Sequence, residues 1–198
     1  MGRPRGYDEH TAVALLDVAE RLVAEGGLEG LSVRRVASAI GATIRAVYSL
    51  FGSKDGLVIA LGARAFNLLS DGLDSLPTTE DPAGDIVEAG VVVFRHFTLS
   101  HPALFTIGFL QAGVPTEIAS AFRSAQVNAL ARLHARIGRL KQTGQLGARS
   151  EDRAALEFHA LCEGLATLEA RCILPSEEAE HMWRDALRAL VAGWAAAG

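Results

Sequence analysis

The sequence predicts an all-α protein of about nine helices, an N-terminal three-helix module followed by a larger helical domain. Three observations carry this. Apolar residues recur at spacings of three and four, and no period-two alternation marks a strand. Residues 32–57 read as two short helices joined by a turn at Gly41, with another helix starting at Ser53. That is the layout of a helix-turn-helix, which sets one helix into the DNA major groove. The third is charge. The 198-residue chain has a net charge of −4, yet Arg34, Arg35, Arg45 and Lys54 stand between Gly30 and Lys54 with no acid among them. Phosphate binding depends on the contacted face and not on net charge, so a local basic patch suffices.

The elements follow in order. A first helix spans about Asp8 to Glu25, with Leu15, Leu16, Ala19, Leu22 and Val23 as its buried stripe and Gly26-Gly27 as its stop. Ser32 is placed to cap a second helix, which turns Val33, Val36, Ala37 and Ile40 inward. Gly41 supplies the tight turn, and Thr43 caps a third helix ending near Phe51-Gly52. Ser53 caps a fourth helix running to about Leu73, and residues 77–82 read as a linker. A fifth helix spans about Asp85 to Ser100 and breaks at His101-Pro102, since the residue before proline avoids the helical region. A short apolar helix covers 103–110 and ends at Gly113-Val114-Pro115. A long one runs from Thr116 to about Gln142 and stops at Gly144 and Gly147. Glu151 to about Ile173 and Ser176 to about Ala196 complete the set. The organisation expected is 1–52 for DNA binding, 53–77 as a connecting helix and 78–198 for ligand binding and dimerisation.

Composition narrows the function classes. Apolar residues make up 49% of the chain, enough for a sizeable core, but no run approaches the roughly 20 needed to span a membrane. The N-terminal residues have no apolar signal core, so a cytoplasmic location is expected. Cys162 and Cys172 fall on one predicted helix, about 15 Å apart along its axis, too far to bridge. Past residue 78 there is no nucleophile constellation, glycine-rich phosphate loop or metal signature. His159 and Cys162 share a face, but two ligands fall short of the four of a structural zinc site. No enzyme activity, cofactor or metal is expected.

The third helix, with Val47 and Phe51 facing the core, turns Ile44, Arg45, Tyr48 and Ser49 outward. Arg45 can donate bidentately to guanine, Ile44 can touch a thymine methyl, and Thr43 and Tyr48 can donate to phosphates. Ser32 and Arg34 are placed to clamp the DNA backbone from the second helix. Lys54 lies in the first turn of the fourth, where the helix dipole also favours phosphate. Arg35 faces either DNA or the acidic first helix, and Arg3 and Arg5 form either a minor-groove arm or a disordered end.

Gly41-Ala42-Thr43, Val47-Tyr48, Phe51 and Ser53-Lys54-Asp55-Gly56-Leu57 stand in a register that resembles the TetR (tetracycline-repressor-type) family of transcriptional regulators. The resemblance covers about residues 8 to 70. It implies that Thr43, Tyr48 and Lys54 hold phosphate and that Ile44, Arg45 and Ser49 read bases. Leu50 departs from the polar residue the family often has there. His101-Pro102 and Phe158-His159-Ala160 are similar to a C-terminal ligand domain of some members, in which Trp-His-Gly often stands at the second place.

Phe94, Phe97, Phe105 and Phe109 concentrate in two consecutive helices, as plain core or as a pocket lining. The resemblance implies a small hydrophobic effector there, with His159 and Glu163 as polar partners. His159 and Glu163 also suit an ordinary pair four residues apart. Leu161, Leu165 and Leu168 on one of the last two helices, and Met182, Leu187, Leu190 and Trp194 on the other, predict a four-helix interface with a second copy. The expectation is a dimeric, ligand-responsive repressor on a palindromic operator. The alternative is a helical small-molecule-binding or interaction protein that does not bind DNA.

Overall fold

The computed structural model describes residues 5–110, 120–175 and 177–196, and every regular element among them is helical. Nine helices stand in these stretches: α1 (Arg5–Gly30), α2 (Val33–Ala39), α3 (Ile44–Phe51), α4 (Lys54–Ser75), α5 (82–100), α6 (102–110), α7 (Ser120–Gln142), α8 (Glu151–Ala170) and α9 (Ala179–Ala196). The expected all-α architecture holds. The helices form two compact units, one of Met1–Ala65 with Pro102–Ala125, the other of Phe66–His101 with Gln126–Gly198. The expected N-terminal arm at Arg3, the helix end at Gly113-Val114-Pro115 and the helix start at Thr116 lie outside the described residues, as does Ser176.

In the first unit α1 buries Leu15, Val18, Ala19, Leu22 and Val23, the stripe its spacing predicts. It breaks at Gly26 and Gly27, where Gly27 takes φ 62°, and a single turn resumes over Leu28–Gly30. α1 packs on α2, on α3 and on the first turn of α6. Arg64 of α4 fastens it from the other side, 2.6 Å from Asp17 and 3.7 Å from Glu20. Gly62 of α4 lies under the Phe122 ring, so close that a Cβ there would stand 2.6 Å from a ring carbon.

In the second unit α5 starts at Pro82, three residues before the expected Asp85, because proline suits the first helical position. Its middle, Ala89–Arg95, widens into a π-helix, and Thr106–Leu110 of α6 does the same. Neither widening shows in residue spacing. Glycines permit the closest packing: Val93 sits on Gly72, and Leu187 on Gly90. Buried Arg136 of α7 closes the end of α4, donating to the carbonyls of Leu73 at 2.7 Å and Pro77 at 3.3 Å. Cations suit that end of a helix. Buried Asp85 accepts from the Thr79 amide at 3.0 Å and hydroxyl at 2.7 Å, and pairs with Arg139. Burial pushes the Asp85 carboxyl up, but the Thr79 bonds and Arg139 outweigh it and hold it below its ordinary value.

α8 and α9 are joined by two tryptophan–glutamate bonds. Trp183 donates to Glu169 at 2.9 Å and Trp194 to Glu157 at 2.7 Å. Arg95 grips Glu169 from α5 at 2.8 Å. Leu165, Leu187 and Trp194, expected on the dimer face, are buried within the protomer. Leu161, Leu168 and Leu190 are half-buried, and Met182 is the large apolar residue of that set left exposed. α8 ends at Ala170, not Ile173, so Cys172 lies in the following turn with φ 55° and not on the helix with Cys162. One helix does reach membrane-spanning length and apolarity, contrary to the sequence reading. It is α4, the one such helix among the described residues, and 56% of its most apolar 18-residue stretch is buried inside the protein.

Two outcomes test this frame. Asp85, held below 3.8, contributes stability above that value, and the contribution is lost as pH falls through the lowered pKa. D85N is therefore less stable than wild type at pH 7, and its acid unfolding curve is flatter below about pH 4. R136M leaves carbonyls at the end of α4 without their donor and lowers stability by about 2–4 kcal/mol, read as a shift of urea midpoint at constant m.

Candidate nucleic-acid interface

The interface is built from the turn outward. Gly41 takes φ 68°, and its amide donates to Ser38 while the Ala42 amide donates to Ala37 at 2.9 Å, so the chain leaves α2 sharply. A side chain at Gly41 would be strained by that φ. Thr43 is extended and its Oγ1 accepts from the Ala46 amide at 3.1 Å, capping α3 as predicted. At the far end Gly52 takes φ 74°, and its amide donates to the Tyr48 carbonyl at 2.9 Å. The Ser53 hydroxyl then accepts from the Gly56 amide at 2.9 Å to start α4.

Between these stops α3 has two faces. Val47 is fully buried and Phe51 half-buried. Thr43, Ile44, Arg45, Tyr48 and Ser49 are all exposed, Ile44 at 39% and Tyr48 at 49%. The face thus presents a guanidinium, a phenol, two hydroxyls and a branched alkyl group to solvent, the chemistry that base edges, thymine methyls and phosphates accept. Leu50, the residue that departs from the resemblance, is half-buried.

The other predicted contacts are placed differently. Arg34 is exposed on α2. Ser32 occupies the N-cap position of α2 with extended backbone, but its side chain makes no cap bond, so the expected cap does not form. Arg35 turns to α1, donating to the Gly30 carbonyl at 3.2 Å and standing 3.8 Å from Glu25, the acidic-helix side of the two readings. Lys54 donates from Nζ to the Leu28 carbonyl at 3.1 Å. Sequence spacing could not reveal that bond, because it joins residues 26 apart.

The predicted effector residues divide between the units. In the second, Phe94 and Phe97 are buried. Phe94 meets the His159 ring edge-on at 5.9 Å and Trp183 at 6.5 Å, and Phe97 stacks on His101 at 5.9 Å. His159 Nε2 lies 3.3 Å from Glu163 Oε2, the predicted i, i+4 pair. Burial pushes the His159 pKa down, with Glu163 opposing. In the first unit Phe105 and Phe109 lie 5.6 Å apart. Trp183 was not expected beside Phe94, because contacts between distant helices leave no mark in helical spacing. Among the described residues no group of three His, Cys, Asp or Glu is placed to hold a metal ion.

Residues 15–61 match the family model described as bacterial regulatory proteins, tetR family. The chain is 27% identical over 139 residues to the HTH-type transcriptional regulators Rv1816 of Mycobacterium tuberculosis and Mb1846 of Mycobacterium bovis. The match covers 63% of this chain and spans 59% of the length of those relatives. Among solved structures the fold is similar to a protein of unknown function from Rhodococcus sp. RHA1, with TM-score 0.78 and 21% identity, covering 93% of this chain and 95% of that one. It is also similar to the transcriptional regulator FadR from Bacillus subtilis in complex with stearoyl-CoA, with TM-score 0.76 and 14% identity over 91% and 98% of the two chains. The TetR family transcriptional regulator PfmR from Thermus thermophilus gives TM-score 0.66 at 20% identity, over 89% and 96%.

The cap on α3 has a measurable weight. T43V removes the acceptor beneath the Ala46 amide and costs about 1 kcal/mol, while T43S keeps it and leaves stability at or slightly above the wild-type value. Thermal unfolding followed by circular dichroism separates the two variants.

Proposed function

We propose that this chain, which belongs to the tetR family of bacterial regulatory proteins, is a cytoplasmic, ligand-responsive repressor of transcription that binds a palindromic operator as a dimer. The observation that carries the reading is the two-faced α3, with Val47 fully buried on one side and Arg45, Tyr48, Ser49 and Ile44 exposed on the other. Arg45, Ile44 and Ser49 read bases, while Thr43, Tyr48, Arg34 and Ser32 meet phosphates and fix the register. No chemistry is assigned to the chain, and it acts by occupying DNA.

The dimer reading draws on the outer faces of α8 and α9. Leu156, at 68%, and Ala160 and Gly164 are exposed on α8, and Met182, Ala189 and Gly193 on α9. Glu163, Gly164, Thr167 and Leu168 line a shallow groove along α8 with Ala160. Small residues there let a facing helix approach closely, and a two-fold axis would set two α3 helices on half-sites one DNA turn apart.

A small hydrophobic effector fits the aromatic residues of the second unit. Phe94 and Phe97 supply apolar surface, and His159 with Glu163 supplies a polar end. In the first unit buried Phe105 and half-buried Phe109 place two aromatic rings together on α6. The stearoyl-CoA bound to the Bacillus subtilis regulator makes a long acyl chain the first class to assay. A coupling of about 1–3 kcal/mol would change operator occupancy by roughly 5- to 150-fold.

The primary test is an electrophoretic shift on the DNA upstream of the chain's own gene and on duplexes selected from a random pool. Absence of salt-sensitive binding to both sinks the repressor reading in favour of a helical binding protein that does not touch DNA. R45A is expected to relax preference at one base pair per half-site, losing about 1–3 kcal/mol of discrimination there. For the dimer, G164R and G193R are clean probes, because a Cβ at either position meets nothing within 4 Å in the protomer. Both variants should stay helical and sediment as monomers, and a wild-type sedimentation coefficient for both would remove α8 and α9 from the interface.

A further inference from the structure

Four cations make up the basic stretch, but the structure does not deploy them alike. After the break at Gly26-Gly27, α1 resumes for one turn, Leu28–Gly30, and then ends. The carbonyls at such an end have no intrahelical partner. Two are met by cations: Leu28 accepts from Lys54 Nζ at 3.1 Å, and Gly30 from Arg35 Nη1 at 3.2 Å. Glu25 steadies the Arg35 guanidinium at 3.8 Å. Positive charge at a helix C-terminus is favourable in its own right.

The Lys54 bond also closes a loop. It joins residues 26 apart, and the chain between them is α2, the Gly41 turn, α3 and the Gly52 turn. The reading helix is therefore carried on a segment whose two ends this bond bridges, in addition to the packing of α2 and α3 on α1.

We infer that Lys54 and Arg35 are positioning residues that fasten the reading segment to the end of α1, and that Arg34 and Arg45 are the cations of the stretch that meet DNA. The inference rests on the DNA-binding reading. It reassigns Lys54 from the phosphate role that family resemblance gives it.

Counterion release separates the two roles. Each phosphate neutralised contributes about 0.9 to the slope of log Kobs against log salt concentration. The probe is a fluorescein-labelled duplex selected by the wild-type protein from a random pool, titrated by anisotropy between roughly 50 and 200 mM NaCl. In a dimer R34M should lower the slope by about 1.8, because both copies lose a contact. K54M and R35M should leave it unchanged while weakening binding by up to about fivefold at every salt concentration.

A second readout needs no DNA. The Leu31 amide donates to the same Leu28 carbonyl at 3.3 Å, and its hydrogen exchange should be faster in full-length K54M than in wild type. A slope lowered as far in K54M as in R34M, with Leu31 exchange unchanged, overturns the inference and returns Lys54 to phosphate. If wild type selects no duplex, the repressor reading fails. Leu31 exchange then decides the fastening alone, unchanged exchange refuting it.

Discussion

An eight-residue helix is too short to hold itself together in water, and everything proposed for α3 depends on what compensates for that. Part of the answer is local: Thr43 caps one end, and the Gly52 amide satisfies a carbonyl at the other. The larger part is tertiary, since Val47 is fully buried where α3 packs on α1 and α2. Burying one face allows the opposite face to carry polar and apolar groups chosen for a partner and not for stability. Ile44 is exposed on the same face as Arg45, Tyr48 and Ser49, so that face offers an alkyl group beside its polar ones.

The first unit was legible in the sequence because its rules are short-range. Gly41, Thr43, Gly52 and Ser53 act within four residues of themselves, and each takes the backbone conformation or hydrogen bond its type implies. The helical stripe of α1 is a pattern of the same kind. Long-range choices were not legible. Lys54 is a charged residue on an exposed helix position, and nothing near it in sequence says that its partner is a carbonyl of α1. The same blindness misassigned Leu165, Leu187 and Trp194. Their spacing marks an apolar face correctly, but each helix is apolar over a wide arc, and periodicity cannot tell which part of the arc faces the protein's own core.

The second unit depends on polar groups as much as on apolar ones. Asp85, Arg139 and Thr79 tie the linker to α5 and α7, Arg136 closes α4, and Arg95 with Glu169 and Trp183 joins α5, α8 and α9. Buried charges of this kind demand their partners, since an uncompensated charge is far costlier than a lost contact. Together with the close seats of Val93 on Gly72 and Leu187 on Gly90, they specify one arrangement of these helices. The π-turn of α5 contains both Gly90 and Val93 and carries Phe94 and Arg95 as well, so a wide turn presents an aromatic, an aliphatic and a cation to different neighbours.

The paired tryptophans have an optical consequence. Trp183 and Trp194 are the chain's two tryptophans, both fully buried, and each indole N–H is bound to a carboxylate of α8. Their emission is set by the electric field of Glu169 and Glu157 and by the exclusion of water around α9. Intrinsic fluorescence is thus a reporter native to the second unit, where the Phe94 ring lies 6.5 Å from Trp183. α1 to α4 contain no indole, so their own unfolding or docking contributes no tryptophan signal.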